Sequence, residues 1–320
     1  MGRYLLLQLV SFVLVFLAVT LLVFVTFYVL PHQPRPGPRT RAPTNQIDSS
    51  VSSGYLGYVW GIVRHGNLGN SYTDRADVRT KVLHAAPVTL SVLLGGLVFW
   101  LAFAVPLGLL AALRPRSLVD RAGSVLVLVG LCAHPVWLGL VLSYFFGRYL
   151  HILPPAGYCA IDKASTGCEG LWQWSVHLVL PWITFGIINA AFFTAMVRAL
   201  VIEQLGEEYL RTARAKGASE RRVLTRHLFP TIGVPIVTMA GLNLGTAIAT
   251  VVFVESAFDL PGVGNILRQA ALRRDLPTTA GCVVFLVVGV MVLNLLVDLT
   301  YAFFDPRIRI ASSASAPARV

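Results

Sequence analysis

The longest polar run in this chain is "EQLGEEYLRTARAKGASERRVLTRHLFP", Glu203 to Pro230, set between two apolar segments. Its acids lead (Glu203, Glu207, Glu208) and its bases follow (Arg211, Arg214, Lys216). That order suits a helix dipole, and Glu207 and Glu208 stand four and three residues before Arg211, the favourable direction for helix pairs. Gly217 reads as a C-terminal cap, and Ser219 as the N-cap of a second short helix. Tyr209, Ala213 and Lys216 share one face at helical spacing, and the small Ala213 and Ala215 allow a close approach. The residues alone leave two readings open: a knob that docks into a groove of another protein, or an amphipathic helix resting on lipid headgroups.

Other residues able to do chemistry are few. Asn294 and Asp298 lie four apart on the last apolar segment, where a charge usually faces protein or water. Arg198 is a candidate partner for Asp298. Asn189 and Asn243 are left between lining a pathway and packing helices, and "GLNLG" (Gly241–Gly245) has the spacing that permits close helix contact. Glu255 and Asp259 stand at one end of the fifth apolar segment, as a gate or as a solvated rim. Cys159 and Cys168 would close a small loop as a disulfide on an oxidising face, or stay as free thiols; Cys132 and Cys282 read as packing residues. There is no Cys/His cluster for a metal, no phosphate-binding GxxxxGK[ST], no GxSxG and no HExxH. ATP binding by that loop and these hydrolytic chemistries are therefore not expected of this chain.

The elements that must position these residues are read from the composition. The chain has 320 residues, 56% hydrophobic and 13% charged, with mean hydropathy +0.70. Soluble domains carry roughly 25% charged residues, so a polytopic, all-α membrane protein is expected. The net charge of +11 is assigned to loops facing anionic lipid and cytoplasm rather than to nucleic acid. Six apolar runs exceed the roughly 20 residues needed to span: Tyr4–Leu30, Pro87–Leu113, Ala122–Phe146, Val176–Val201, Thr231–Val254 and Thr279–Phe304. The first reads as a retained anchor (1–30), residues 31–86 as an extracytoplasmic linker and small surface segment, and 87–320 as a core of five further helices with the polar loop 203–230. The Lys and Arg density favours both termini inside. "RTKVLHAAPVTLSVLL" reads as a polar helix entering the second span, His134–Pro135 as a kink, and "FDLPGVGNILRQAALRRDLP" as a turn at Pro261–Gly262 followed by a short helix on the outer face.

The motifs then carry a resemblance. "YLRTARAKG" (Tyr209–Gly217), with His227 and Pro235 at matching distances, resembles the cytoplasmic coupling motif of the dipeptide/oligopeptide/nickel ABC-importer permease family, B-type subunit. "GNLGNSY" (Gly66–Tyr72), "PLGLLAAL" (Pro106–Leu113), "VESAFDLPGVGNIL" (Val254–Leu267), "RRDLP" (Arg273–Pro277) and "NLLVDLTYAFFDPRIR" (Asn294–Arg309) match it in order along nearly the whole chain. The chain departs at "LPHQP" (Leu30–Pro34), where the family usually has a Pro-Gly-Asp-Pro-like run, and at Pro230–Thr231, which replace the usual Arg-Asn.

The resemblance implies the type I importer permease fold with six transmembrane helices in the bacterial inner membrane. It also implies a non-catalytic chain that forms half of the path for short peptides. A second homologous permease, two ATPase subunits holding ATP and Mg, and an external solute-binding protein would complete the complex. On the coupling motif it places Glu208, Tyr209, Thr212, Ala213, Arg214, Ala215, Lys216, Gly217 and His227. It places Glu255, Asp259, Pro261 and Gly262 by the outer gate or binding protein. Import of nickel or another small solute is the alternative within the family; a stand-alone secondary transporter is the alternative outside it.

Overall fold

The run of apolar residues yields helices because lipid offers no partner for a free backbone N–H or C=O. A computed structural model describes residues 2–26, 54–160 and 170–304, with side chains described from 10 to 26, 54 to 160 and 170 to 297. In chain order its helices are α1 (Gly2–Phe24), α2 (Gly54–His65), α3 (Val78–Leu113), α4 (Leu118–Cys132), α5 (Pro135–Leu142), α6 (Gly170–Leu205), α7 (Glu208–Ala215), α8 (Glu220–Val223), α9 (Phe229–Ala257), α10 (Val263–Leu272) and α11 (Leu276–Phe304). Two π-helical turns, Ser143–Tyr149 and Leu224–Leu228, prolong α5 and join α8 to α9. The described residues contain no strand beyond an isolated antiparallel bridge between Asn70 and Asp77.

Among the described residues, four helical runs are long and apolar enough to cross a membrane: Val78–Leu113, Gly170–Leu205, Glu220–Ala257 and Leu276–Val297. The expected third span is not one rod. It is two helices, Leu118–Cys132 and Pro135–Tyr149, bent by 115° at their junction. Pro135 has no N–H and pushes the residue before it out of helical conformation; His134 accordingly sits at φ −74°, ψ 137°. Its Nδ1 accepts a hydrogen bond from the Val136 N–H at 3.3 Å, so the histidine caps the second helix. The expected kink is thus a full break. Of the expected first span, α1 covers Gly2–Phe24, 23 residues, and residues 27–30 lie outside the described set.

The chain divides into two units. The first combines Met1–Leu90 with Pro261–Val292. Here Val78, Val82 and Ala85 pack with Val263 and Cys282, and Val23 packs with Ala280 and Val284. The Val263 N–H donates to Thr89 Oγ1 at 2.9 Å, fixing the start of α10. Cys282 is a packing residue, as expected, whereas Cys132, in the other unit, is exposed.

The second unit combines Ser91–Leu260 with Leu293–Val320. Its core is α6, against which α4, α5 and α9 pack, with Trp100, Phe185 and Phe193 fully buried. Small residues let the backbones approach. A Cβ on Gly130 of α4 would lie 2.3 Å from Ala191 Cβ on α6, and one on Gly95 of α3 would strike the Trp182 ring at 2.1 Å. Trp182 is itself held by its Nε1–H, which donates to Ser91 O at 3.0 Å.

Candidate functional site

The polar loop folds as the sequence reading expects: helix, turn, helix. Leu210, Val223 and Leu228 are fully buried and tie the loop down. Gly217 adopts φ +79°, the left-handed region that a Cβ disfavours. The Ala218 N–H donates to Ala213 O at 3.2 Å and the Gly217 N–H to Arg214 O at 2.9 Å, closing α7. Ser219 has N-cap backbone geometry, but its side chain makes no capping bond.

With the apolar side anchored, the rest of the motif is presented outward. Glu208, Tyr209, Thr212, Arg214, Ala215, Lys216 and Gly217 are exposed, and Ala213 and His227 are half-buried. The Tyr209 hydroxyl donates to Gln204 Oε1 at 3.3 Å. His227 lies in the π-helical turn, and its carbonyl accepts from the Thr231 hydroxyl at 2.8 Å. Pro230 is accommodated near the N-terminus of α9, and the helix continues unbroken from it.

The loop's ion pair is not the expected one. Among the described residues no ion pair joins Glu207 or Glu208 to Arg211. Instead Arg214 makes a fork to Glu220 across the Gly217 turn, Nη2 to Oε1 at 2.8 Å and Nε to Oε2 at 3.1 Å. This pair bridges α7 and α8 across the turn. Sequence spacing could not rank this pair, because its six-residue separation spans a turn whose geometry had to be known first.

The intramembrane polar residues look inward to their own helices. Asn189 Nδ2 donates to Phe185 O and Asn243 Nδ2 to Met239 O, each at 2.8 Å. Asn294 is exposed, and the Asp298 side chain lies outside the described residues. Arg198 bonds a different acid. Its Nε donates to Asp120 Oδ1 at 2.9 Å, where Asp120 Oδ2 also accepts the Arg116 N–H at 2.9 Å. Asp120 was missed because the sequence places it in a short loop, whereas it lies in the first turn of α4 and meets Arg198 only through the packing of α4 on α6.

Glu255 is fully buried near the end of α9, which removes the solvated-rim reading for it. Asp259 is exposed and left-handed, at φ 49°, and the Leu260 N–H folds back onto Glu255 O at 3.0 Å. In the other unit, Pro261 is exposed and Gly262 buried at the head of α10, the short helix expected there. Cys159 is buried and disulfide-bonded; Cys168 lies outside the described residues.

A second polar cluster went unrecognised as such. Asp275, buried before α11, accepts hydrogen bonds from the Ser71 hydroxyl (2.5 Å), the Tyr72 N–H (3.0 Å) and the Thr278 hydroxyl (2.8 Å). Burial pushes its carboxyl up, but these donors outweigh burial and hold it below its ordinary value. Ser71 also accepts from the Thr73 N–H at 3.3 Å, and Lys81 pairs with Asp74 at 2.6 Å. The Lys81 bond, helped by Ser71, holds Asp74 at about 2. Two separate stretches that carry the resemblance, "GNLGNSY" and "RRDLP", are thereby one structural joint.

Comparison with known proteins places this geometry. The model of the family described as "Binding-protein-dependent transport system inner membrane component" matches residues 104–310. The dipeptide transport system permease protein DppB of Escherichia coli (strain K12) is 32% identical over 322 residues, covering 92% of this chain and 95% of that protein. The di/tripeptide transport system permease protein DppB of Pseudomonas aeruginosa (strain UCBPP-PA14) is 34% identical, with the same coverage of 92% and 95%. Among solved structures, one of the MetNI methionine ABC transporter in inward-facing conformation superposes with a TM-score of 0.54 at 17% identity, covering 71% of this chain and 97% of that one. That likeness bears on the fold alone.

Proposed function

The chain belongs to the family of binding-protein-dependent transport system inner membrane components, and on that premise we propose that it is a permease subunit of an ATP-driven importer of short peptides. The observation that carries this reading is the identity of 32–34% with dipeptide and di/tripeptide permeases over 92% of the chain. The chain is a multi-pass inner-membrane component without catalysis of its own; ATP and Mg belong to partner ATPases. Both termini face the cytoplasm, a second homologous permease completes the path, and an external binding protein delivers the substrate.

Coupling runs through α7. Its exposed face, Tyr209 to Lys216, docks into a groove of an ATPase subunit, and the Arg214–Glu220 pair keeps the loop rigid while it moves. Closure of the ATPases on ATP would displace the knob as a body and tilt the helices that continue from it, α6 on one side and α9 on the other. This is support by geometry: a stiff polar knob sits directly between two long apolar helices. Asn189 and Asn243, bonded to their own helices, serve packing first.

The test is ATP hydrolysis by the complex captured through this chain, with the co-encoded binding protein and a mixture of di- to hexapeptides. Stimulation by peptide is expected, and fractionating the mixture gives the preferred length. Hydrolysis that ignores peptide but responds to nickel or another solute would overturn the substrate class. A folded chain that captures no ATPase would overturn the importer reading and favour a stand-alone transporter.

A further inference from the structure

A cavity of about 270 Å³ lies where the end of α3 meets the start of α4 and the last turns of α6. Asp120, Gly123, Ser124, Thr194 and Arg198 line it. Three features make it a site rather than a packing fault. Thr194 is 1% exposed, yet its hydroxyl has no hydrogen-bond partner among the described residues. A threonine in a helix ordinarily donates to the carbonyl one turn back, as Thr184 does to Leu180. Thr194 forgoes that bond on the cavity wall.

Arg198 spends its Nε on Asp120 and reaches it weakly through Nη2, at 3.5 Å. The rest of its guanidinium fork is uncommitted, with Asp120 fixing its plane. Arg114, Arg116 and Arg121 are exposed around the same short loop and make no ion pair among the described residues. The Asp120–Arg198 pair is neutral in sum, so the surroundings are net cationic. Next to them α4 exposes an apolar face, Leu118, Val125 and Leu128.

We propose that this cavity binds the phosphodiester headgroup of an anionic phospholipid. The phosphate takes the free N–H groups of Arg198 and the Thr194 hydroxyl, the loop arginines supply the field, and an acyl chain runs along the exposed face of α4. Planar guanidinium donors match phosphate oxygens, and basic pockets between helix ends at the membrane boundary suit anionic headgroups. A soluble phosphate would gain the same polar contacts but nothing from the apolar strip.

The test is native mass spectrometry of the full complex, captured through this chain and washed in dodecyl maltoside. It reads lipid retention whether or not the complex hydrolyses ATP or responds to peptide. About one phosphatidylglycerol or cardiolipin per chain should survive the wash. Gly123→Ala adds a methyl group to the cavity wall without collision, since the new Cβ finds its nearest atoms at 3.8 Å or more. Thr194→Val removes a hydroxyl that bonds to no described residue and so leaves the fold intact. Each should lower retention by about tenfold, the scale of one charge-assisted hydrogen bond or a blocked site. Equal retention in both variants, retention of zwitterionic lipid alone, displacement by excess inorganic phosphate, or no retained lipid would each overturn the assignment.

Discussion

Glu220 offers a direct test of the lever, because it acts on α7 without belonging to the docking face. Its carboxylate holds Arg214 in a two-bond fork at 2.8 and 3.1 Å. The side chains are 37% exposed for Arg214 and 58% for Glu220, so water screens the pair heavily. An exposed ion pair contributes about 0.2–1 kcal/mol, and fork geometry puts this one toward the upper end. At 1.4 kcal/mol per factor of ten, Glu220→Ala should weaken binding of the ATPase subunits by about 2- to 5-fold. The assay is a titration of purified ATPase onto the permease pair in detergent at low ionic strength. Raising the salt should shrink the difference between wild type and variant, because screening removes what the mutation removes. A loss far above tenfold would refute the stapling argument, since it would mean Glu220 touches the ATPase itself. No difference at low salt would mean that Leu210, Val223 and Leu228 alone set the loop.

The remaining expectations are independent of that pair. Lys216→Glu combined with Ala213→Trp should abolish uptake while membrane insertion stays normal; unimpaired uptake in cells would remove docking from this face. Asp275→Asn should cost about 1–3 kcal/mol through its buried donors, seen as faster proteolysis within residues 66–77. Because the folded Asp275 carboxyl lies below its unfolded value of about 3.9, its contribution is present above that pH and lost as pH falls through the folded value. Thermal melts taken down from pH 6 should therefore drop for the wild type and lie flatter for Asp275→Asn. Gly130→Ala, with its Cβ at 2.3 Å from Ala191, should destabilise by about 1–3 kcal/mol, readable as a lower melting temperature. Peptide mapping without reduction should find Cys159 joined to Cys168; any other partner would refute the closed outer loop.

Much of this architecture was legible from local chemistry. Apolar length announced the long helices, because hydrocarbon demands about 20 helical residues wherever it is crossed. The polar loop, its glycine turn and the short helix after Pro261–Gly262 followed from propensity and capping, which act within a few residues. The break at His134–Pro135 was signposted by proline, but its 115° angle was not, since a missing N–H permits a bend without choosing its size. Pairings across the fold were beyond reach. Arg198 meets Asp120 over 78 positions and Ser71 meets Asp275 over 204, and many acids were equally available on paper. Arg214 chose Glu220 over Glu208, at the same six-residue separation, because the turn at Gly217 aims it there. Likewise Glu255, polar and near a helix end, is fully buried because helix packing, not residue type, decides what water reaches. The sequence by itself determined where the long apolar helices and the polar loop between two of them lie; only the tertiary structure decided which charges meet, because that depends on distances set by helices packed side by side.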